Sequence, residues 1–178
     1  VRSMPGQGSE FVVEIPLEEA APRLAPDEGA QHEPLTASFA EKYPLDILLV
    51  EDDRVNLKLL LALIRRLGYE PLAAQNGKEA VEIYSSERPA CVLMDLQMPE
   101  MDGIEATEKI RAIERASRNV QPAFIAALTA NIFPTERQRC FDAGMNSYLN
   151  KPVKLSTLAT TLMQASDFTQ ERHHNEDV

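Results

Sequence analysis

The chain is poor in several things that would announce a function. It has two cysteines, Cys91 inside an apolar run and Cys140 on a predicted helix. Both read as buried or partly buried free thiols of a reducing compartment, not as a disulfide framework. No Cys/His grouping has metal-ligand spacing, and His173 and His174 lie in a polar terminus. No stretch approaches ~18 consecutive apolar residues, so this piece is expected to have no membrane span and to be cytoplasmic. A longer parent is free to be membrane-anchored through segments outside it. No run of Lys and Arg marks a nucleic-acid surface. The turn after the first apolar run, VEDDRVN, contains no glycine, which removes the glycine-rich phosphate loop of a dinucleotide-binding fold.

The charge that is present is unevenly placed. Net charge is −10 over 178 residues. Residues 1–44 carry eight acids against three bases and residues 167–178 carry four against one, whereas residues 45–166 are nearly balanced. Six of the twelve prolines fall in residues 1–44, and the Ala/Pro/Glu-rich stretch 18–44 reads as an extended, solvated linker. Before it, Phe11, Val13 and Ile15 alternate as in a strand. A lone strand is unstable, so residues 1–17 are expected to belong to a preceding domain. The chain begins at Val1 within that motif and reads as a piece of something longer. Residues 167–178 read as a polar tail.

From residue 45 short apolar runs alternate with helical periodicity. Strands are expected at 45–50, 69–73, 90–94, 123–128 and 145–149, and helices at 55–67, 77–86, 104–117, 134–143 and 155–165. Non-alternating apolar strands imply a sheet covered on both faces. Right-handed crossovers then lead to a doubly wound, five-stranded parallel α/β domain over 45–166. In such a sheet, ligand sites form at the carboxyl ends of the strands. Glu51 and Asp52 (LLVEDD), Asp95 (CVLMDLQMPEMDG), Thr129 (FIAALTAN) and Lys151 (YLNKP) all fall there. Crowded carboxylates call for a divalent cation, and Mg²⁺ takes one or two carboxylates together with phosphate oxygens. Asp95 is then placed as a carboxylate nucleophile toward phosphorus. Lys151 is a point charge for a phosphoryl oxygen, and the Thr129 hydroxyl is a donor to another.

These motifs, VEDD, DLQMPEMDG, ALTAN and NKP, resemble the receiver domains of two-component response regulators, over about two thirds of the chain. The resemblance implies the (βα)5 flavodoxin-like receiver fold. It implies Asp95 as phosphoacceptor, with Mg²⁺ (or Mn²⁺ in its place) held by Glu51, Asp52, Asp95 and the backbone carbonyl of Gln97. It implies Thr129 and Lys151 on the phosphoryl group, and Thr129 with Tyr148 as a switch that repacks the surface formed by helix 134–143, strand 145–149 and helix 155–165. A cis Lys151-Pro152 bond is implied as well. Asn131, two residues after Thr129, matches a position that tunes dephosphorylation. The upstream GQGSEF followed by VVEIPL resembles the closing strand of a histidine-kinase ATP-binding domain. Together they imply the C-terminal receiver of a hybrid sensor kinase in a phosphorelay. Its phosphodonor would be a histidine kinase core and its acceptor a histidine phosphotransfer domain. Such a domain catalyses its own phosphorylation and dephosphorylation without being primarily a turnover enzyme. Two other classes remain: a Mg²⁺-dependent phosphohydrolase with an Asp nucleophile, whose second Asp is replaced here by Gln97, and a docking module independent of phosphorylation.

Overall fold

Four-residue and six-residue apolar runs without alternation can only be satisfied inside a two-sided sandwich, and that is where the structure puts them. It is a computed structural model that describes residues 2–4, 8–10, 38–117, 121–130 and 133–176, with side chains over 38–117, 121–130 and 133–170. The chain divides into two units, Val1–Glu33 and Pro34–Val178. In the first, β1 (Arg2–Met4) pairs antiparallel with β2 (Gly8–Glu10). The strand expected near Phe11 to Ile15, the linker as far as residue 37, and Asn131 lie outside the described residues.

The second unit begins with a one-turn helix α1 (Phe39–Lys42) and continues as β3 (Ile47–Val50), α2 (Arg54–Arg66), β4 (Leu72–Ala74), α3 (Gly77–Glu87), β5 (Cys91–Asp95), α4 (Gly103–Ala116), β6 (Phe124–Thr129), α5 (Pro134–Asp142), β7 (Ser147–Asn150) and α6 (Leu155–Glu176). The five strands form one sheet in the order β4-β3-β5-β6-β7, every pairing parallel. The expected doubly wound architecture is therefore present. One core, with Leu49, Ile64, Leu93, Leu128 and Leu162, lies beneath α2 and α6. The other, with Leu48, Val92, Met94, Ile110 and Ile125, lies beneath α3, α4 and α5.

Local chemistry sets the helix starts near the strand ends. Asp53 caps α2, its carboxylate accepting from the backbone N–H groups of Val55 and Asn56 at 2.9 and 2.8 Å. Asp102 caps α4 through Glu105 N–H at 2.8 Å. Asn76 caps α3 through Glu79 N–H, and the Glu79 carboxylate accepts from the N–H of Gln75, the residue before the cap.

The structure departs from the sequence reading in three places. The stretch expected to be linker up to residue 44 contains α1, because Phe39 packs against the rings of Tyr43 and Tyr69 and Tyr69 donates its hydroxyl to the Tyr43 carbonyl at 2.6 Å. Helix α6 runs past the expected tail boundary at 167, since Ala165 and Ser166 are buried and the Phe168 ring meets Phe124 edge-on at 5.6 Å. Strand β4 is only Leu72–Ala74, displaced from 69–73 because Tyr69 turns into the core after the left-handed Gly68. Among the described residues, no helix is long and apolar enough to cross a membrane.

Candidate functional site

The strand order reverses direction between β3 and β5, both of which end at the same edge of the sheet. Val50 is paired with Met94, so the next residues, Glu51 and Asp95, come side by side at the switch point where open α/β sheets hold ligands. Both are buried, at 1 and 4% exposure. Asp52 reaches solvent beside them, and one carboxylate oxygen from each of the three acids lies within 4.8 Å of the others. Register brings up the opposite wall. Asp95 pairs with Leu128, Thr129 follows, and the Lys151 N–H donates to the Thr129 carbonyl at 2.7 Å. The Lys151-Pro152 bond is cis.

The Lys151 ammonium lies 2.7 Å from Glu51 Oε2 and 2.7 Å from Asp95 Oδ2. Asn56 Nδ2 donates to Glu51 Oε1 at 3.2 Å, and the Gln97 N–H donates to Asp95 Oδ1 at 3.2 Å. Burial pushes the Glu51 carboxyl above the usual range and the Asp95 charge adds to this, while the hydrogen bonds from Lys151 and Asn56 pull the other way. For Lys151, burial acts to lower it, but the hydrogen bonds and charges of Asp95 and Glu51 prevail and hold it above the ordinary lysine value. Three oxygen donors around one open side suit a hard divalent cation, and the ammonium beside Asp95 suits an anion arriving there.

Glu51, Asp52, Asp95 and Lys151 thus meet as expected from their strand-end positions. Thr129 is buried at the end of the neighbouring strand. Gln97 follows Asp95 by two residues, on the loop that Gly103 N–H ties back through the Leu96 carbonyl. Tyr148 is half-buried on β7, with the Phe141 ring edge-on at 6.5 Å and the Arg137 guanidinium 5.2 Å from its centroid. Sequence reasoning missed Asn56, although an amide side chain on the first turn of the helix that follows an acidic strand end is a usable signal. It also left Asp53 unassigned; the structure uses it as a helix cap.

The family model for the response regulator receiver domain matches residues 47–163. Hybrid signal transduction histidine kinase K of Dictyostelium discoideum is 31% identical over 179 residues, an alignment covering 96% of this chain. The chain spans only 14% of that kinase's length. The receiver domain of sensor histidine kinase PA1611 from Pseudomonas aeruginosa PAO1, solved with a magnesium ion coordinated in its active-site cleft, matches with a TM-score of 0.61 at 39% identity, covering 69% of this chain and 98% of that one. A co-crystal structure from Saccharomyces cerevisiae joins the histidine phosphotransfer protein Ypd1 to the receiver domain of the response regulator Ssk1. It matches with a TM-score of 0.65 at 33% identity, covering 70% of this chain and 90% of that one.

Proposed function

The chain belongs to the response regulator receiver domain family, and from that premise we propose that Asp95 is the phosphoacceptor of a phosphorelay receiver. The observation that carries this reading is the Lys151 ammonium bridging Glu51 and Asp95 at 2.7 Å each, at the reversal point of the sheet. An Asp95 carboxylate oxygen forms a bond to phosphorus while the phosphorus–nitrogen bond of a phosphohistidine breaks. The bonding pair leaves on the imidazole nitrogen, which takes up a proton. Glu51, Asp52, Asp95 and the Gln97 carbonyl are the proposed holders of Mg²⁺, which when bound offsets the charge on the transferring group. Lys151 exchanges its contact with the Asp95 carboxylate for a phosphoryl oxygen, and the Thr129 hydroxyl donates to another. Tyr148 then follows Thr129, and partners that prefer the repacked α5-β7-α6 surface shift the population toward it.

The donor we propose is the kinase core of a hybrid parent, and the acceptor a histidine phosphotransfer domain like the one that accompanies the Ssk1 receiver. In this reading residues 1–17 close a kinase ATP-binding domain, residues from 18 to the start of α1 link it to the receiver, and the receiver acts in the cytoplasm. Nothing favours the phosphohydrolase alternative, because Gln97 is no acid/base and its N–H is engaged with Asp95.

Beryllofluoride with Mg²⁺, a mimic of the acyl phosphate, is expected to bind and to move the amide resonances of Thr129 and Tyr148. Asp95→Asn is expected to abolish that response. A response that survives in Asp95→Asn would overturn the assignment.

A further inference from the structure

Glu51 poses a problem that an aspartate would not. Its carboxylate sits on an arm one methylene longer, with one more torsion to order. Yet it must present an oxygen at a fixed place, within 4.8 Å of the Asp52 and Asp95 oxygens. The structure meets each oxygen with one protein contact, an ion pair on Oε2 and a hydrogen bond on Oε1. Lys151 takes Oε2 at 2.7 Å, from the turn that follows β7. Asn56 takes Oε1 at 3.2 Å, from the first turn of α2. Asn56 is in turn fixed from behind, because its own N–H is held by the Asp53 cap at 2.8 Å. The amide adds a donor without adding a fourth negative charge to the cluster.

We infer that Asn56 is a positioning residue for the cation site, acting through Glu51 by pinning the longer carboxylate in the orientation that a divalent ion requires. This rests on the proposed Mg²⁺ site and adds to it a residue that touches neither ion nor phosphoryl group. Partners that orient metal ligands in this way typically influence affinity by about 10–100-fold. If Lys151 turns away to a phosphoryl oxygen, Asn56 becomes the remaining tether on Glu51, so its contribution is larger in the loaded form than before it.

The test is a double-mutant cycle read as Mg²⁺ affinity. Because the chain has no tryptophan, affinity is followed by amide chemical shifts and by titration calorimetry. Wild type, Asn56→Ala, Glu51→Asp and the double variant are titrated with MgCl2. Asn56→Ala is expected to weaken Mg²⁺ binding about tenfold or more. In the Glu51→Asp background, where the arm is short, the same substitution is expected to change affinity less than about twofold, a non-additivity that a general loosening of α2 would not produce. Alanine is the better helix former, so a folded variant is expected, and Asn56→Ser repeats the comparison with a second side chain. An equal loss in both backgrounds, or no loss in either, overturns the positioning role. Absence of any Mg²⁺-dependent shift at Glu51, Asp52 and Asp95 in the wild type would instead overturn the metal site itself.

Discussion

A methyl group at Gly103 would stand 2.1 Å from the Asp95 carbonyl oxygen and 3.0 Å from the Asp95 carbonyl carbon and Leu96 Cα. All three are backbone atoms of the proposed phosphoacceptor strand end, so nothing flexible can move aside. Gly103→Ala is therefore expected to cost about 1–3 kcal/mol, the usual range for overpacking, and to displace Asp95 enough to weaken beryllofluoride binding. Urea unfolding and the same amide titration measure the two effects separately. The acids around this glycine show how far single residues are legible in sequence. Glu51 and Asp95 were readable because each ends an apolar run. Asp52 and Asp53 are chemically identical neighbours, and only a helix start fixed to one residue separates the open site acid from the cap. The sequence placed that start at 55, and α2 begins at Arg54. Asn56 carried a weaker signal, its place on the first turn of α2, and its contact with Glu51 depends on a side-chain direction that no motif encodes.

Elements are joined by a buried ionic hub on the α3-α4 side. The Glu114 carboxylate, 6% exposed, accepts from the Tyr84 hydroxyl at 2.6 Å, from Arg111 Nη1 at 2.9 and 2.7 Å, and from the Ala123 N–H at 2.8 Å. Arg111 goes on to the Gly144 carbonyl and Asn146 Oδ1, and that same oxygen accepts from Ile125 N–H. Helices α3 and α4, strand β6 and the turn into β7 are thereby locked in one register. Glu114→Ala would leave Arg111 and the Tyr84 hydroxyl buried without their acid. A loss of about 3–5 kcal/mol is expected, as for breaking a buried pair from one side. Tyr84→Phe, which removes one bond to a charged group, should cost about 1.5–3 kcal/mol. Equilibrium unfolding in urea checks both. The elements themselves were legible from periodicity. The hub was not, because an acid in a helix reads as solvated unless its partners on other elements are known. The extra turns of α6 escaped for a similar reason, since Phe168 means nothing until Phe124 is placed opposite it.

For the molecule as a whole, the two cores share one sensitivity. Burial pushes the Cys91 thiol up to about 12 from an ordinary value of 9.0. Burial also raises Tyr69 and Tyr84, the latter helped by its hydrogen bond to Glu114. In each case the unfolded chain loses its proton at lower pH than the folded one. Above pH 9 the unfolded state therefore binds fewer protons, and stability falls as pH rises, by up to about 1.4 kcal/mol per pH unit for a single group. The contribution of Cys91 is fully present below 9.0 and is lost progressively toward about 12. Unfolding free energies measured between pH 8 and 11 are expected to decline, and Cys91→Ala should make the decline shallower whatever its effect at pH 8. The global architecture was the most legible level of all, because five apolar runs spaced by helices leave few ways to close two cores around one sheet.

The ammonium of Lys151 is shared between two buried carboxylates from different strands. Without a positive partner, those strand ends would repel each other as the sheet formed. With it, the chain carries part of its own counter-charge, one ammonium set against the three acids of the pole. An incoming charged group does not have to overcome bare repulsion; it enters by trading places with a contact that is already made.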